Sequence, residues 1–130
     1  MYEIIVKVSF SAAHQLRGYD GEYESLHGHN WTAIVTVRAQ ELDEMEVGLD
    51  FVMLKKRVEG ILAIIDYKNI NEVPPFNKLN PSAENLARWL FQKLAQEVNT
   101  NNIKVHRVQI NEFDHSGAAY MEEKTYKKSG

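Results

Sequence analysis

Cysteine is absent from this 130-residue chain. That excludes a disulfide framework, a thiolate metal ligand and a thiol nucleophile, so any chemistry must use nitrogen and oxygen groups. Long uncharged apolar runs are missing as well. The opening segment MYEIIVKVSF is broken by Glu3 and Lys7, and it reads as neither a signal peptide nor a membrane span. A cytoplasmic protein without a membrane partner is expected. Charge of one sign is not in excess: 15 Lys and Arg against 18 Asp and Glu leave a formal charge of −3. This gives no basic face for nucleic acid. Internal repeats and low-complexity tracts are also lacking. What is present is 44% apolar and 25% charged residues, enough for one compact domain with its own core. The expected domain spans residues 1–126, with 127–130 a flexible tail.

Hydrophobic periodicity divides the chain into six elements. Ile4, Val6, Val8, Phe10 and Ala12 alternate with polar neighbours in the period of a half-buried strand, and His14 continues their parity. A polar loop of about a dozen residues follows. A second strand, HNWTAIVTVRAQ, puts Trp31, Ala33, Val35 and Val37 on one side. Asp50 is a plausible N-cap for a helix over FVMLKKRVEGILAII, ending near Asp66. Prolines mark the next connector, and Asn80-Pro81 signals the start of SAENLARWLFQKLAQEV. Two strand-like segments close the chain, IKVHRVQINEF and AAYMEEKTY, joined by the turn DHSG. The order ββααββ predicts an α+β subunit, a four-stranded antiparallel sheet with both helices across one face. Apolar residues on both strand parities, such as Ile4 beside Ile5, predict that the second face or the edges are covered in a homo-oligomer.

His27 and His29 stand two apart around Gly28. In an extended chain their rings project to one side, and a glycine between them removes a side chain that would crowd a bound ion. His14, at the end of the preceding strand, can supply a third nitrogen. Three imidazoles hold a zinc ion on three corners and leave the fourth for water or substrate. The competing reading is a polar turn that happens to carry histidines. Glu112 shares parity with Val108 and Ile110, so its carboxylate points inward and needs a partner; Arg107 and Lys104 are candidates.

The segments FSAAHQL, LHGHN, GLDF, IDYKNIN, NPSAENLARWLF and INEF, in this order, resemble the successive landmarks of the 6-pyruvoyltetrahydropterin synthase and 6-carboxytetrahydropterin synthase family. The resemblance implies a tunnel-type fold in which trimers close a twelve-stranded barrel and pair into a hexamer, with active sites between subunits. It implies Zn2+ on His14, His27 and His29. It also implies 7,8-dihydroneopterin triphosphate as substrate, with Glu112 accepting the two adjacent N–H groups of the pterin ring.

Two departures from that pattern bear on the reaction. Family members that make the 6-pyruvoyl or 6-carboxy product use a cysteine before the His-x-His pair, helped by an Asp-His pair. Here the cysteine is absent, and Asp66 is followed by Tyr67. ESLHGH instead resembles a third branch, which cleaves the substrate side chain to 6-hydroxymethyl-7,8-dihydropterin for folate synthesis. Glu24 is then the general base, Glu22 its competitor, and Asp66 a catalytic residue as the retained half of the Asp-His pair. Two alternatives stand beside cleavage. One is the pyruvoyl or carboxy product of the biopterin and queuosine pathways; the other is a zinc-containing pterin-binding protein without turnover. His115 and Tyr67 are candidate relays. Ser82 and Glu84 are explained by helix-start chemistry, and Lys7, Arg17 and Lys68 are candidate cations for the triphosphate.

Overall fold

A computed structural model describes residues 1–18 and 24–122. Glu22, residues 123–126 of the expected last strand and the expected tail at 127–130 lie outside the described residues. The main elements are β1 (Tyr2–His14), β2 (His27–Ala39), α1 (Phe51–Leu62), α2 (Ala83–Val98), β3 (Ile103–Phe113) and β4 (Ser116–Tyr120). The strands form one antiparallel sheet in sequential order. α1 packs against β1, and α2 against β3 and β4. This is the α+β arrangement that the hydrophobic pattern predicts.

β1 and β2 pair over their whole length, from Tyr2 opposite Ala39 to His14 opposite His27. Alternate residues of both strands, Ile4 to Ala12 and Trp31 to Ala39, are buried on the helix side. Apolar residues at period 2 therefore build one wall of the core. The apolar stripes of α1 (Leu54, Val58, Ile61, Leu62) and α2 (Leu86, Leu90, Leu94, Val98) build the other.

β3 needs two irregularities to fit. Thr36 pairs with Arg107 but Val37 pairs with Val105, which leaves His106 as an extra residue. The bulge resets the parity, so that Ile103 and Val105 before it and Val108 and Ile110 after it all face the helices. A second shift lies between β3 and β4, where Asn111 pairs with Gly117 and Phe113 with Ser116, so Glu112 has no opposite number. Gly117 is the residue that allows it. A Cβ at this position would lie 1.9 Å from Asn111 Oδ1 and 2.6 Å from the Ile110 carbonyl.

The helix ends differ slightly from expectation. Asp50 caps α1, accepting from the Val52 N–H at 2.9 Å. The helix stops at Leu62, before the expected Asp66, because the chain is drawn onto the free edge of β1. There the Ser11 N–H donates to Asp66 Oδ1 at 2.9 Å, the Tyr67 N–H to the Ser11 carbonyl, and the Ala13 N–H to the Lys68 carbonyl at 2.9 Å. Tyr67 takes a left-handed backbone, φ 58°, to make this turn. α2 is capped by Ser82, which accepts from the Asn85 N–H. β4 begins at Ser116, within the expected turn, so that only Asp114 and His115 join β3 to β4.

Candidate metal centre

One end of the sheet gathers three strand ends. His14 ends β1, His27 and His29 begin β2 directly beside it, and Glu112 projects from the bulged end of β3. One donor atom from each of the four lies within 4.8 Å of every other. His14 is fully buried and the other three are partly so.

The hydrogen bonds of these rings fix which nitrogen faces inward. His14 Nδ1 donates to the Pro81 carbonyl at 2.7 Å, and His27 Nδ1 to the Ser25 carbonyl at 2.7 Å. A carbonyl only accepts, so each Nδ1 carries a proton, and in the neutral ring the lone pair is on Nε2. This is the backbone support that metal-bound imidazoles ordinarily have. Trp31 backs the group: its indole stands edge-on to His14 at 4.7 Å and to His29 at 5.7 Å between ring centroids. It is held by donating Nε1–H to the Ala12 carbonyl at 3.1 Å.

The donor set fits a metal ion. His14 Nε2 and His29 Nε2 are both buried and have no hydrogen-bond partner among the described residues, a costly state for polar atoms unless a cation satisfies them. Imidazole nitrogen and carboxylate oxygen are the donors that zinc accepts in the absence of thiolate.

Glu112 does not pair with Arg107 or Lys104; its carboxylate stands among the imidazoles. Glu24 sits at the stem of the β1–β2 loop. Its carboxylate accepts from the Leu16 N–H and its own N–H donates to the Leu16 carbonyl, both at 3.1 Å. Leu16 follows His14 by two residues and Glu24 precedes His27 by three, so this pair closes the loop just beyond two of the four clustered side chains. Asp66 is not brought into the four-residue group; it holds the outer edge of β1 through Ser11. Tyr67, 85% exposed, and Lys68 line an open cleft of about 520 Å³ whose other wall includes Gly28, His29 and Asn30.

The candidate cations are largely engaged. Arg17 donates to the carbonyls of Phe76 and Leu79, and Lys68 Nζ to that of Ile64. The role expected for Gly28 is not seen. An added Cβ would point away from the imidazoles, with its nearest neighbour the Ala12 carbonyl at 3.9 Å, because adjacent strand residues face opposite sides.

Composition and spacing did not reveal two features. Asn71 and Asn80 hold the chain after His14 by paired bonds to Gln15 and Arg17, matching acceptor to N–H and donor to carbonyl in each case. Phe113 stands edge-on to His29 at 4.7 Å and stacks on His115 at 5.5 Å. The only sequence signal for either was the density of Asn and the aromatic residue next to Glu112.

Fold and site together define a small α+β domain that carries, at one end of its sheet, a group of three histidines and one carboxylate able to hold a metal ion. The chain belongs to the 6-pyruvoyl tetrahydropterin synthase family, whose model matches residues 3–123, and it is an enzyme of pterin biosynthesis. It is 33% identical over 115 residues to a dihydroneopterin monophosphate aldolase of Pyrococcus furiosus, covering 85% of this chain and 91% of the relative. A 6-carboxy-5,6,7,8-tetrahydropterin synthase of Synechocystis is 30% identical over 126 residues, covering 93% and 94%. The solved 6-pyruvoyl tetrahydropterin synthase of Caenorhabditis elegans superposes with a TM-score of 0.79 at 25% identity, over 94% of this chain and 96% of that one. Among the described residues, no helix is long and apolar enough to cross a membrane.

Proposed function

We propose that this protein is a zinc-dependent lyase that cleaves the side chain of a 7,8-dihydroneopterin phosphate to 6-hydroxymethyl-7,8-dihydropterin. The observation that carries the reading is the pairing of a three-imidazole centre with Glu24, three residues before His27, in a chain that has no cysteine. His14, His27 and His29 hold the ion, which when bound supplies Lewis acidity to the side-chain hydroxyls. Glu24 takes the proton of the second side-chain hydroxyl. The bond between the first two side-chain carbons then breaks, its electrons pass into the C6=N5 imine of the ring, and the first carbon is reprotonated. The remainder leaves as an aldehyde carrying the phosphate. Glu112 and the surrounding aromatic rings orient the heterocycle, and Asp66 acts from the edge of β1.

The Pyrococcus relative supports the aldolase outcome and favours a monophosphate over the triphosphate. The Synechocystis relative favours a second reading, the 6-carboxy product, against which stands the missing cysteine. Beyond the segment at Asp66–Asn69 that bonds to the end of β1, the outer edges of β1 and β4 have no strand partner among the described residues, which supports a homo-oligomer; the hexamer of paired trimers is what the family resemblance implies.

Zinc-loaded protein incubated with 7,8-dihydroneopterin monophosphate, and separately with the triphosphate, is expected to yield 6-hydroxymethyl-7,8-dihydropterin by mass spectrometry. A 6-carboxy or 6-pyruvoyl product, or no turnover of either substrate, overturns the assignment.

A further inference from the structure

The buried imidazole of His14 is aimed by a carbonyl 67 residues away in the chain, that of Pro81, at 2.7 Å from Nδ1. This carbonyl lies one position before Ser82, the cap of α2. It stands outside the helix ladder, where the Leu86 N–H already donates to the Ser82 carbonyl at 2.9 Å. The helix therefore leaves it to the imidazole.

The residue before Pro81 holds it in place. Asn80 Oδ1 accepts from the Arg17 N–H at 2.8 Å, and Asn80 Nδ2 donates to the Arg17 carbonyl at 3.0 Å. The Asn80 carbonyl accepts from Asn85 Nδ2 at 2.8 Å, and the Asn85 N–H donates to the capping Ser82 hydroxyl. A closed circuit results. His14 leads through two residues to Arg17, Arg17 pairs with Asn80, Asn80 is joined to Pro81, and Pro81 returns to His14 Nδ1. The backbone that carries the ring and the acceptor that orients it thus depend on one amide. Both polar atoms of that amide are engaged by Arg17, so Asn80 acts on the centre through His14. Asn71 supplies the contrast. It makes the same pair of bonds to Gln15, each at 2.8 Å, but is not attached to the Pro81 carbonyl.

We infer that Asn80 is a positioning residue of the metal centre, fixing the tautomer and the angle of His14 and with them the affinity for the ion. The inference rests on the metal-dependent reading above and extends it from the ligands to the residue that sets one of them. An imidazole held at Nδ1 presents Nε2 in one direction, so the ion does not have to order the ring as it binds. A ring free to turn or to exchange tautomers offers that lone pair only part of the time.

The test uses Zn2+ alone as probe, with affinity read by chelator competition. The His14 ring is read by long-range 1H–15N NMR of the metal-free protein at neutral pH. Asn80→Ala should bind Zn2+ at least about tenfold more weakly than wild type, on the scale at which supporting groups alter metal sites. Its His14 should show a mixture of tautomers where wild type shows the Nδ1–H form alone. Asn71→Ala loses as many hydrogen bonds, yet should keep the wild-type tautomer and lose clearly less affinity. Asn85→Ala, which removes the donor to the Asn80 carbonyl, should fall between wild type and Asn80→Ala in both readouts, and it serves if Asn80→Ala does not fold. Wild-type affinity and a single tautomer in Asn80→Ala, or in Asn85→Ala where that stands in, overturn the inference while the lyase assignment stands. Equal losses of affinity in Asn80→Ala and Asn71→Ala with the tautomer unmoved overturn it too, because the role is then structural only. Failure of wild-type protein to bind Zn2+, with His27→Ala no different, sinks the metal reading and this inference with it.

Discussion

The backbone N–H of Ser11 donates to Asp66 Oδ1 across 55 residues of chain, at 2.9 Å. This bond fastens the segment after α1 to the free edge of β1, and it separates a structural role for Asp66 from a chemical one. Asp66→Asn keeps an acceptor oxygen and should leave the unfolding free energy within about 0.5 kcal/mol of wild type, whereas Asp66→Ala should cost about 1–2 kcal/mol. If Asp66 also acts in the reaction, Asp66→Asn lowers kcat with stability retained. Denaturant melts alongside product formation decide between the two.

Glu24→Gln preserves the acceptor for the Leu16 N–H and removes the carboxylate proposed as the base. Turnover should fall by about 100-fold or more, with metal content measured by elemental analysis unchanged. Activity near the wild-type level would transfer the base role to another residue.

His14 and His27 should part company in metal-free protein. His14 is fully buried and satisfies the Pro81 carbonyl, so His14→Ala should cost about 3 kcal/mol through a cavity and an unpaired carbonyl. The His27 side chain is 34% exposed, and His27→Ala should cost less than about 1 kcal/mol. Both should lose the metal. Paired chemical denaturation and metal analysis check all four outcomes.

Gly117→Ala places a methyl within 2.6 Å of the Ile110 carbonyl. The second β3 irregularity must then open, at a cost of about 1–3 kcal/mol, and Glu112 shifts with it. Weaker metal binding in this variant, whose substitution touches no ligand, is the expected readout.

His106 occupies the first β3 bulge, where burial and then the charges of Arg38 and Arg107 hold its pKa below the usual 6.5, with Glu3 partly offsetting them. The unfolded chain takes up this proton first. Stability should therefore be level above about pH 6.5 and fall as the pH drops from there toward the depressed folded value. His106→Gln should flatten that part of the profile, read by urea melts at about pH 5.5 and 7.5.

Alternation in β1 and β2 made the sheet legible from sequence, since Phe10, Ala12 and His14 share the parity on which Trp31, His29 and His27 arrive. Glu112 was legible for the same reason, through Val108 and Ile110. Side chains that satisfy backbone groups left no such trace. Asp66 holding Ser11, and Asn71 and Asn80 pairing with Gln15 and Arg17, depend on where a long connector returns in space, which no local period encodes. Gly28 defies the simple spacing argument because the room it leaves lies on the face away from the ligands, where its α-carbon substituent would point. The end of α1 departs from its pattern for a related reason, because hydrogen bonds at the β1 edge override the apolar stripe that continues to Ile65.

The thirteen-pair ladder of β1 and β2 would make a metal held by His14, His27 and His29 a proofreader of its own scaffold. A slip of one residue would turn His14 to the opposite side of the sheet from His27 and His29, leaving two nitrogens where three are needed. A slip of two would keep the side but draw His14 out of line with its neighbours. Only one alignment of the hairpin brings all three nitrogens together, so an ion bound there would favour that alignment over the misaligned ones and hold it at the end farthest from Tyr2 and Ala39.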